Sequence, residues 1–146
     1  LDTANLIWVK ADVRNRETLE AALAPAIASA GGQVDSVANI AGVFPPTTLE
    51  TFTESDFRFI FDVNVLGVLN VTAACVPFMK AGSAVVNFAS VDGFTVSSGQ
   101  LLYGASKSAV IMITKSSLNI TRPKSTPIKL NTTVVRIING VEAELN

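Results

Sequence analysis

Three consecutive segments decide how the chain is read. They are Ala84-Val85-Val86-Asn87-Phe88-Ala89-Ser90, the loop Val91-Asp92-Gly93-Phe94-Thr95-Val96-Ser97-Ser98-Gly99-Gln100, and Leu101-Leu102-Tyr103-Gly104-Ala105-Ser106-Lys107. The first is a short apolar run with adjacent valines, which predicts a buried strand over 84–89 closing on Ser90. The Ser/Gly-rich loop breaks it, and a helix is expected over 100–122, stopped by Pro123. Tyr103, the only tyrosine, lies four residues before Lys107, so both project from one face of that helix. An ammonium held near a phenol favours the phenolate and lowers its pKa from about 10. A tyrosine tuned in this way can exchange a proton with a hydroxyl or carbonyl near neutral pH. Ser90 follows a strand end, where α/β sheets place their ligand sites, and its hydroxyl can bond the same oxygen.

Working back towards the N-terminus, Leu6 to Val9 and Ala11 to Val13 read as a short buried strand ending near Asp12. Asn15 is the expected cap of a helix whose apolar face is Leu19, Leu23 and Ile27, with Pro25 inside it and Gly31-Gly32 at its end. Val34 to Ala38 reads as a second strand, leading into Asn39-Ile40-Ala41-Gly42 and the Pro45-Pro46 loop. Thr53-Glu54-Ser55-Asp56 has the form of a capping box and opens a helix predicted to run unbroken over 54–79. That helix is apolar almost all round, a pattern that calls for burial on more than one side. Residues 128–138 give a final strand-like run. Strands alternating with helices predict an α/β fold with a largely parallel sheet, in one domain over 1–146.

Composition narrows the function. The 146 residues are 49% hydrophobic and only 16% charged, with a net charge of −1 and no histidine. Such a charge offers no basic face to nucleic acid or anionic lipid. Without histidine, Ser-His-Asp and Cys-His nucleophile systems and imidazole metal sites are excluded. Cys75 is the only cysteine, which excludes an internal disulfide and a thiolate metal cluster and fits a reducing, cytoplasmic setting. The longest uncharged stretch, 63–79, is short for a bilayer and carries Asn64, Asn70 and Pro77, so no membrane span is expected. About 25% charge is usual for a soluble domain. The shortfall points to faces buried against a partner, or to a piece of a larger protein.

Each residue singled out also has an ordinary structural reading. A serine after a strand is most often a turn residue or cap. A helical asparagine such as Asn64 is often a packing device, Asp12 a strand terminator and Cys75 a small hydrophobe. Gly42 can be a simple strand-exit glycine.

Joint order and spacing shift the balance. From about Asp12 to Asn131 the sequence resembles the short-chain dehydrogenase/reductase family. Asp12-Val13 matches the acidic position that contacts the cofactor adenine. Asn39-Ile40-Ala41-Gly42 is similar to the Asn-Asn-Ala-Gly motif, with Ile40 for the second asparagine. Asp62-Val63-Asn64-Val65-Leu66-Gly67 matches the helix segment bearing the catalytic asparagine. Asn87-Phe88-Ala89-Ser90 resembles the strand end with the catalytic serine, and Tyr103-Gly104-Ala105-Ser106-Lys107 matches Tyr-x-x-x-Lys. Ser90 precedes Tyr103 by the family's thirteen residues.

The resemblance implies an NAD- or NADP-dependent oxidoreductase acting on a small alcohol or carbonyl compound. In it Tyr103 is the general acid/base, and Ser90 polarises the reacting oxygen. Lys107 holds the nicotinamide ribose and lowers the tyrosine pKa, and Asn64 positions a water that relays protons to Lys107. Asp12, Val13, Asn39, Ala41, Gly42, Tyr103 and Lys107 are the implied cofactor contacts, and no metal is implied. The apolar 54–79 helix and the 100–122 helix are those that family members pack in a homo-oligomer interface.

Against the family's pattern, no glycine turn enters a helix N-terminus to receive a pyrophosphate, because Gly31-Gly32 ends a helix. The Pro-Gly that follows the family's sixth strand is replaced by Val134-Val135-Arg136. The expected architecture is therefore a partial Rossmann-type, doubly wound parallel sheet lacking its first βαβ unit and last strand, truncated at both ends. In it the segment over 6–13 either detaches or shifts beside the second strand, and the three later strands keep family order. A non-catalytic remnant serving as a dimerisation module is the main rival reading, with a flavodoxin-like binding module behind it.

Overall fold

The computed structural model describes residues 6–117, 129–138 and 141–144. Its first stretch corrects the expectation of a buried strand. Residues 6–12 pair with no described strand, and Leu6, Ile7 and Trp8 are exposed, Trp8 to 87%. Of the two outcomes expected for the segment, detachment is the one observed. A strand needs a neighbour for its backbone groups, and here the segment is held through Val13. Asn70 Nδ2 donates to the Val13 carbonyl at 2.9 Å, and the Val13 side chain packs against the Gly67 backbone.

Helix α1 (Arg16–Ser29) begins where Asn15 caps it, its side chain accepting from Thr18 N at 3.0 Å. It contains Pro25 and buries Leu19 and Ile27. The chain leaves it through a Schellman turn: Gly32 N donates to Ile27 O, Gly31 N to Ala28 O, and Gly31 takes φ +80°. Strand β1 (Ser36–Asn39) follows and pairs in parallel with β2 (Ala84–Ser90).

The stretch between these strands departs from one regular helix. Helix α2 (Glu54–Phe61) starts from the Thr53–Asp56 capping box, as its sequence predicts. It passes through a π-helical segment (Asp62–Leu66) into α3 (Gly67–Cys75) and a 3₁₀ turn (Val76–Phe78). A π segment widens the turn by one residue, and here the widened turn contains buried Asn64. By length, and by a mean hydropathy of 1.8 over its most apolar eighteen residues, the run over Glu54–Phe78 matches a membrane span, yet Asn64 and Asn70 in its middle bond the chain's own backbone.

Helix α4 (Leu101–Ser117) crosses back over the sheet, and the predicted residues 118–122 lie outside the described ones. Strand β3 (Lys129–Ile138) pairs in parallel with β2, with Ser90 opposite Val135. Strand β4 (Val141–Glu144), which the sequence pattern does not announce, closes antiparallel on β3. The order β1-β2-β3-β4 keeps the three parallel strands as expected, in an α/β fold with a small sheet. The core gathers Val37, Cys75, Met79 and Val85 between the sheet, α1 and α3, flanked by Leu23 and Val71. Between the detached segment and β1 lies an apolar cleft of about 440 Å³.

Candidate active site

Polar side chains collect at the C-terminal ends of β1 and β2, where the π segment and the first turns of α4 approach the sheet. The helical rise places Lys107 one turn beyond Tyr103. The Lys107 side chain is buried, and its Nζ lies 5.6 Å from the Tyr103 ring centroid. It donates to the Phe88 carbonyl on β2 at 2.7 Å. Burial pushes the Lys107 pKa below its ordinary value.

Tyr103 is half-buried, its ring meeting Phe44 edge-on at 6.0 Å. Its pKa is raised, contrary to the expectation from spacing. Burial is the largest cause, the Asp92 carboxylate adds to it, and a hydrogen bond with Ser90 opposes both. The reason is geometric. Lys107 directs its ammonium to Phe88 O and the face of the ring, so the phenol feels its desolvation first.

Ser90 is buried at the end of β2. Its Oγ donates to Asp92 Oδ2 at 3.3 Å and accepts from Asp92 N at 3.2 Å. Ser97 Oγ donates to the other Asp92 oxygen. The serine hydroxyl thus sits between the tyrosine and a carboxylate, a position that spacing along the chain does not reveal for Asp92.

Asn64, 1% exposed, uses its whole amide. Oδ1 accepts from Val43 N at 2.8 Å, while Nδ2 donates to Val43 O at 2.9 Å and to Ser106 Oγ at 2.9 Å. Ser106 Oγ in turn donates to the Tyr103 carbonyl at 2.7 Å. The loop leaving β1 is thereby tied to the tyrosine's own helix. A Cβ on Gly42 would stand 3.4 Å from Asn64 Oδ1 and 3.7 Å from Lys107 Nζ, so this glycine's backbone lies against both.

The expected cofactor contacts fall into groups. Gly42 joins the Asn64–Lys107 cluster. Val13, Asn39 and Ala41 line a cavity of about 100 Å³ with Ile40, Gly67 and Val68. Asn39 also anchors the sheet, donating to Asn87 Oδ1 at 2.7 Å and to Thr72 Oγ1 at 3.1 Å, and Asn87 donates to Thr114 Oγ1 at 2.9 Å. Asp12 is engaged with Arg14, whose guanidinium at 2.7 Å holds its pKa down to about 2.

Residues to which the sequence reading assigns no role complete the site: Val43, Phe44, Thr47 and Asp92 outside the quoted motifs, and Phe88 and Ser106 within them. The Pro45-Pro46 pair before Thr47 is the one local sign that this loop is held rigid.

Comparison with known proteins gives one consistent result. The short chain dehydrogenase family profile matches residues 2–140. Oxidoreductase UcpA of Salmonella typhimurium is 38% identical over 111 residues, covering 74% of this chain and 42% of that protein. The ligand-free aldohexose dehydrogenase of Thermoplasma acidophilum superposes with a TM-score of 0.80 at 26% identity, over 90% of this chain and 51% of that one. A short chain dehydrogenase/reductase from Burkholderia phymatum, solved in complex with NAD, gives 0.77 at 30% identity, over 89% and 46%. The chain spans about half the length of the proteins it matches.

Proposed function

The chain belongs to the short chain dehydrogenase family, and from that premise we propose that it carries the proton-transfer half of an alcohol or carbonyl oxidoreductase site. The observation that supports this most directly is the convergence of Ser90, Tyr103 and Lys107 at one end of the sheet, with Asn64 behind them. The cofactor in this reading is NAD or NADP.

The residues present fit two parts of such a dinucleotide. The cavity beside Val13, Asn39 and Ala41 suits an adenosine edge. The Lys107 ammonium, beside the close-approaching Gly42 backbone, suits a ribose hydroxyl. Among the described residues, the glycine turn that opens a helix is the one at Gly99 before α4, and the amides of Gln100, Leu101 and Leu102 that follow it are bonded to Ser97 and Thr47 rather than turned to a pyrophosphate. When bound, the nicotinamide supplies or accepts the hydride.

The chain's own part is the proton. Tyr103 Oη gives a proton to a carbonyl oxygen as it becomes an alkoxide, or takes one from an alcohol in the reverse direction. The Ser90 hydroxyl turns from Asp92 to bond the same oxygen, stabilising its developing charge. Phe44 meets the tyrosine ring edge-on at 6.0 Å. The Lys107 ammonium has three donors, so it can bond a ribose hydroxyl while one of them stays on the Phe88 carbonyl.

The test is NADH and NADPH oxidation, followed at 340 nm with a panel of small ketones and aldehydes, in the wild type and Tyr103→Phe. Turnover that falls by about a hundredfold or more in the variant supports the assignment. Turnover that survives Tyr103→Phe removes it.

A second reading, assembly through the helices, is favoured by a separate observation. Phe57, Phe59, Leu66 and Leu69 on the 54–79 run and Met112 on α4 are each at least 40% exposed. Apolar area of this kind supports the reading of an interface between copies. Sedimentation of the wild type against Leu69→Glu tests it, with a monomeric wild type as the opposing result.

A further inference from the structure

The first turn of α4 is capped from outside the helix. Thr47, 2% exposed, lies more than fifty residues earlier in the chain, after Pro45-Pro46. Its carbonyl accepts from Leu101 N at 3.1 Å, and its Oγ1 accepts from Leu102 N at 3.2 Å. Its own N–H donates to Gly99 O at 2.7 Å, which pairs the two stretches like a single rung of parallel sheet. The first amides of a helix have no partner inside it and need an acceptor. Thr47 supplies two acceptors in succession, for the two residues immediately before Tyr103.

The same loop carries two more attachments to this region. Asn64 grips Val43, and Phe44 stands edge-on against the Tyr103 ring. Rotation or fraying of the first turn of α4 would therefore draw Tyr103 away from Phe44 and from Ser90 together.

We infer that Thr47 is a positioning residue for Tyr103: by capping Leu102 across the fold, its hydroxyl sets the place of the phenol in the site. This rests on the reading of Tyr103 as the acid/base group, but it makes its own claim about where the ring sits.

Tyr103 is the only tyrosine, so its ionisation can be followed directly by tyrosinate absorbance near 295 nm with no turnover required. Among the described residues the charged groups facing it are Asp92 and Lys107, and neither changes in the variants. Thr47→Val keeps both backbone bonds and loses only the hydroxyl, whereas Thr47→Ser keeps the hydroxyl. The expected result is a titration in Thr47→Val that moves down towards the ordinary phenol value of about 10, because the gain of solvent outweighs the loss of the lowering Ser90 bond, and a wild-type titration in Thr47→Ser. An unmoved titration in a folded Thr47→Val overturns the inference.

Should Thr47→Val fail to fold by circular dichroism, hydrogen exchange in the unmutated protein decides. A strongly protected Leu102 amide supports the cap, and a freely exchanging one overturns it. Turnover read in parallel separates the two claims. A wild type without turnover but with a Thr47-dependent titration loses the oxidoreductase reading and keeps the positioning role. With turnover, Thr47→Val lowers kcat by about tenfold or more at a KM changed little, because a misplaced acid/base group costs rate more than binding.

Discussion

Asn64 grips Val43 by both of its backbone polar groups, accepting from its N–H at 2.8 Å and donating to its carbonyl at 2.9 Å. A carboxamide is the one uncharged side-chain group that pairs with a peptide unit in this way, as one strand pairs with another. The contact joins the π segment to the loop over the tyrosine. Leucine at position 64 fills the same volume, takes the partner from the half-buried Val43 N–H and carbonyl, and removes one of the two hydrogen bonds of Ser106 Oγ. Each such loss costs about 1–3 kcal/mol, so Asn64→Leu is expected to cost about 3 kcal/mol in urea unfolding. A loss under about 1 kcal/mol would show that water replaces the amide.

Two glycines make an informative pair. A Cβ at Gly104 would stand 2.7 Å from the Asp92 carbonyl oxygen, a backbone atom fixed by the 3₁₀ turn after β2. A Cβ at Gly67 would also meet an atom at 2.7 Å, but that atom is Val13 Cγ2, the end of a side chain on the detached segment. Gly104→Ala is expected to destabilise by about 1–3 kcal/mol, while in Gly67→Ala the helix gain from alanine offsets much of the displacement of Val13. Equal losses in thermal unfolding would mean that Val13 is held as firmly as the turn.

Buried Lys107 and half-buried Tyr103 also predict how stability depends on pH. Burial lowers the Lys107 pKa in the folded state, so the unfolded chain binds more protons between that value and 10.5, and stability rises with pH across the window. Burial raises Tyr103 above 10.0 and Cys75 above 9.0, and for these the folded state keeps the proton longer, so stability falls as pH rises past those values. In urea midpoints measured from pH 8 to 11, Lys107→Met should lose the rising contribution and Tyr103→Phe part of the later fall. A Lys107→Met profile parallel to that of the wild type would place the ammonium in water.

Pro25 sits inside α1, where it can give no hydrogen bond to the preceding turn. Alanine there restores that donor, at the cost of a less restricted unfolded chain. The expected net gain for Pro25→Ala is about 1 kcal/mol, read as a higher Tm. A loss instead would mean that the ring packs where a methyl group cannot reach.

Signals confined to a few neighbouring residues are legible in the amino-acid order itself. Asn15 and the Thr53–Asp56 box announce helix starts, Gly31-Gly32 a stop, and 84–89 a strand, because each depends on the chain within one turn of itself. The Tyr103–Lys107 pairing is legible for the same reason, but its electrostatics are not. Spacing says that the two share a face, and says nothing of a carbonyl on β2 that takes the ammonium. The segment over 6–13 misleads because strand propensity is local while strand pairing is not. Thr47 is invisible, since a cap borrowed from a distant loop leaves no pattern in the helix it caps. The π segment is hidden by an all-round apolar helix, in which one extra residue disturbs no visible periodicity.

That extra residue is carried within its own turn. A π turn completes about the same rotation as an α turn but spends one more residue on it, so removing one residue from 62–66 would let the run close as ordinary α-helix with α3 keeping its angular phase. Asn70 would still meet the Val13 carbonyl, and Ala74 and Cys75 would stay in the core. The change would fall on the widened turn itself, which now holds Asn64 against Val43 and Ser106 at once. A single-codon deletion there is one that the fold can absorb and the site cannot.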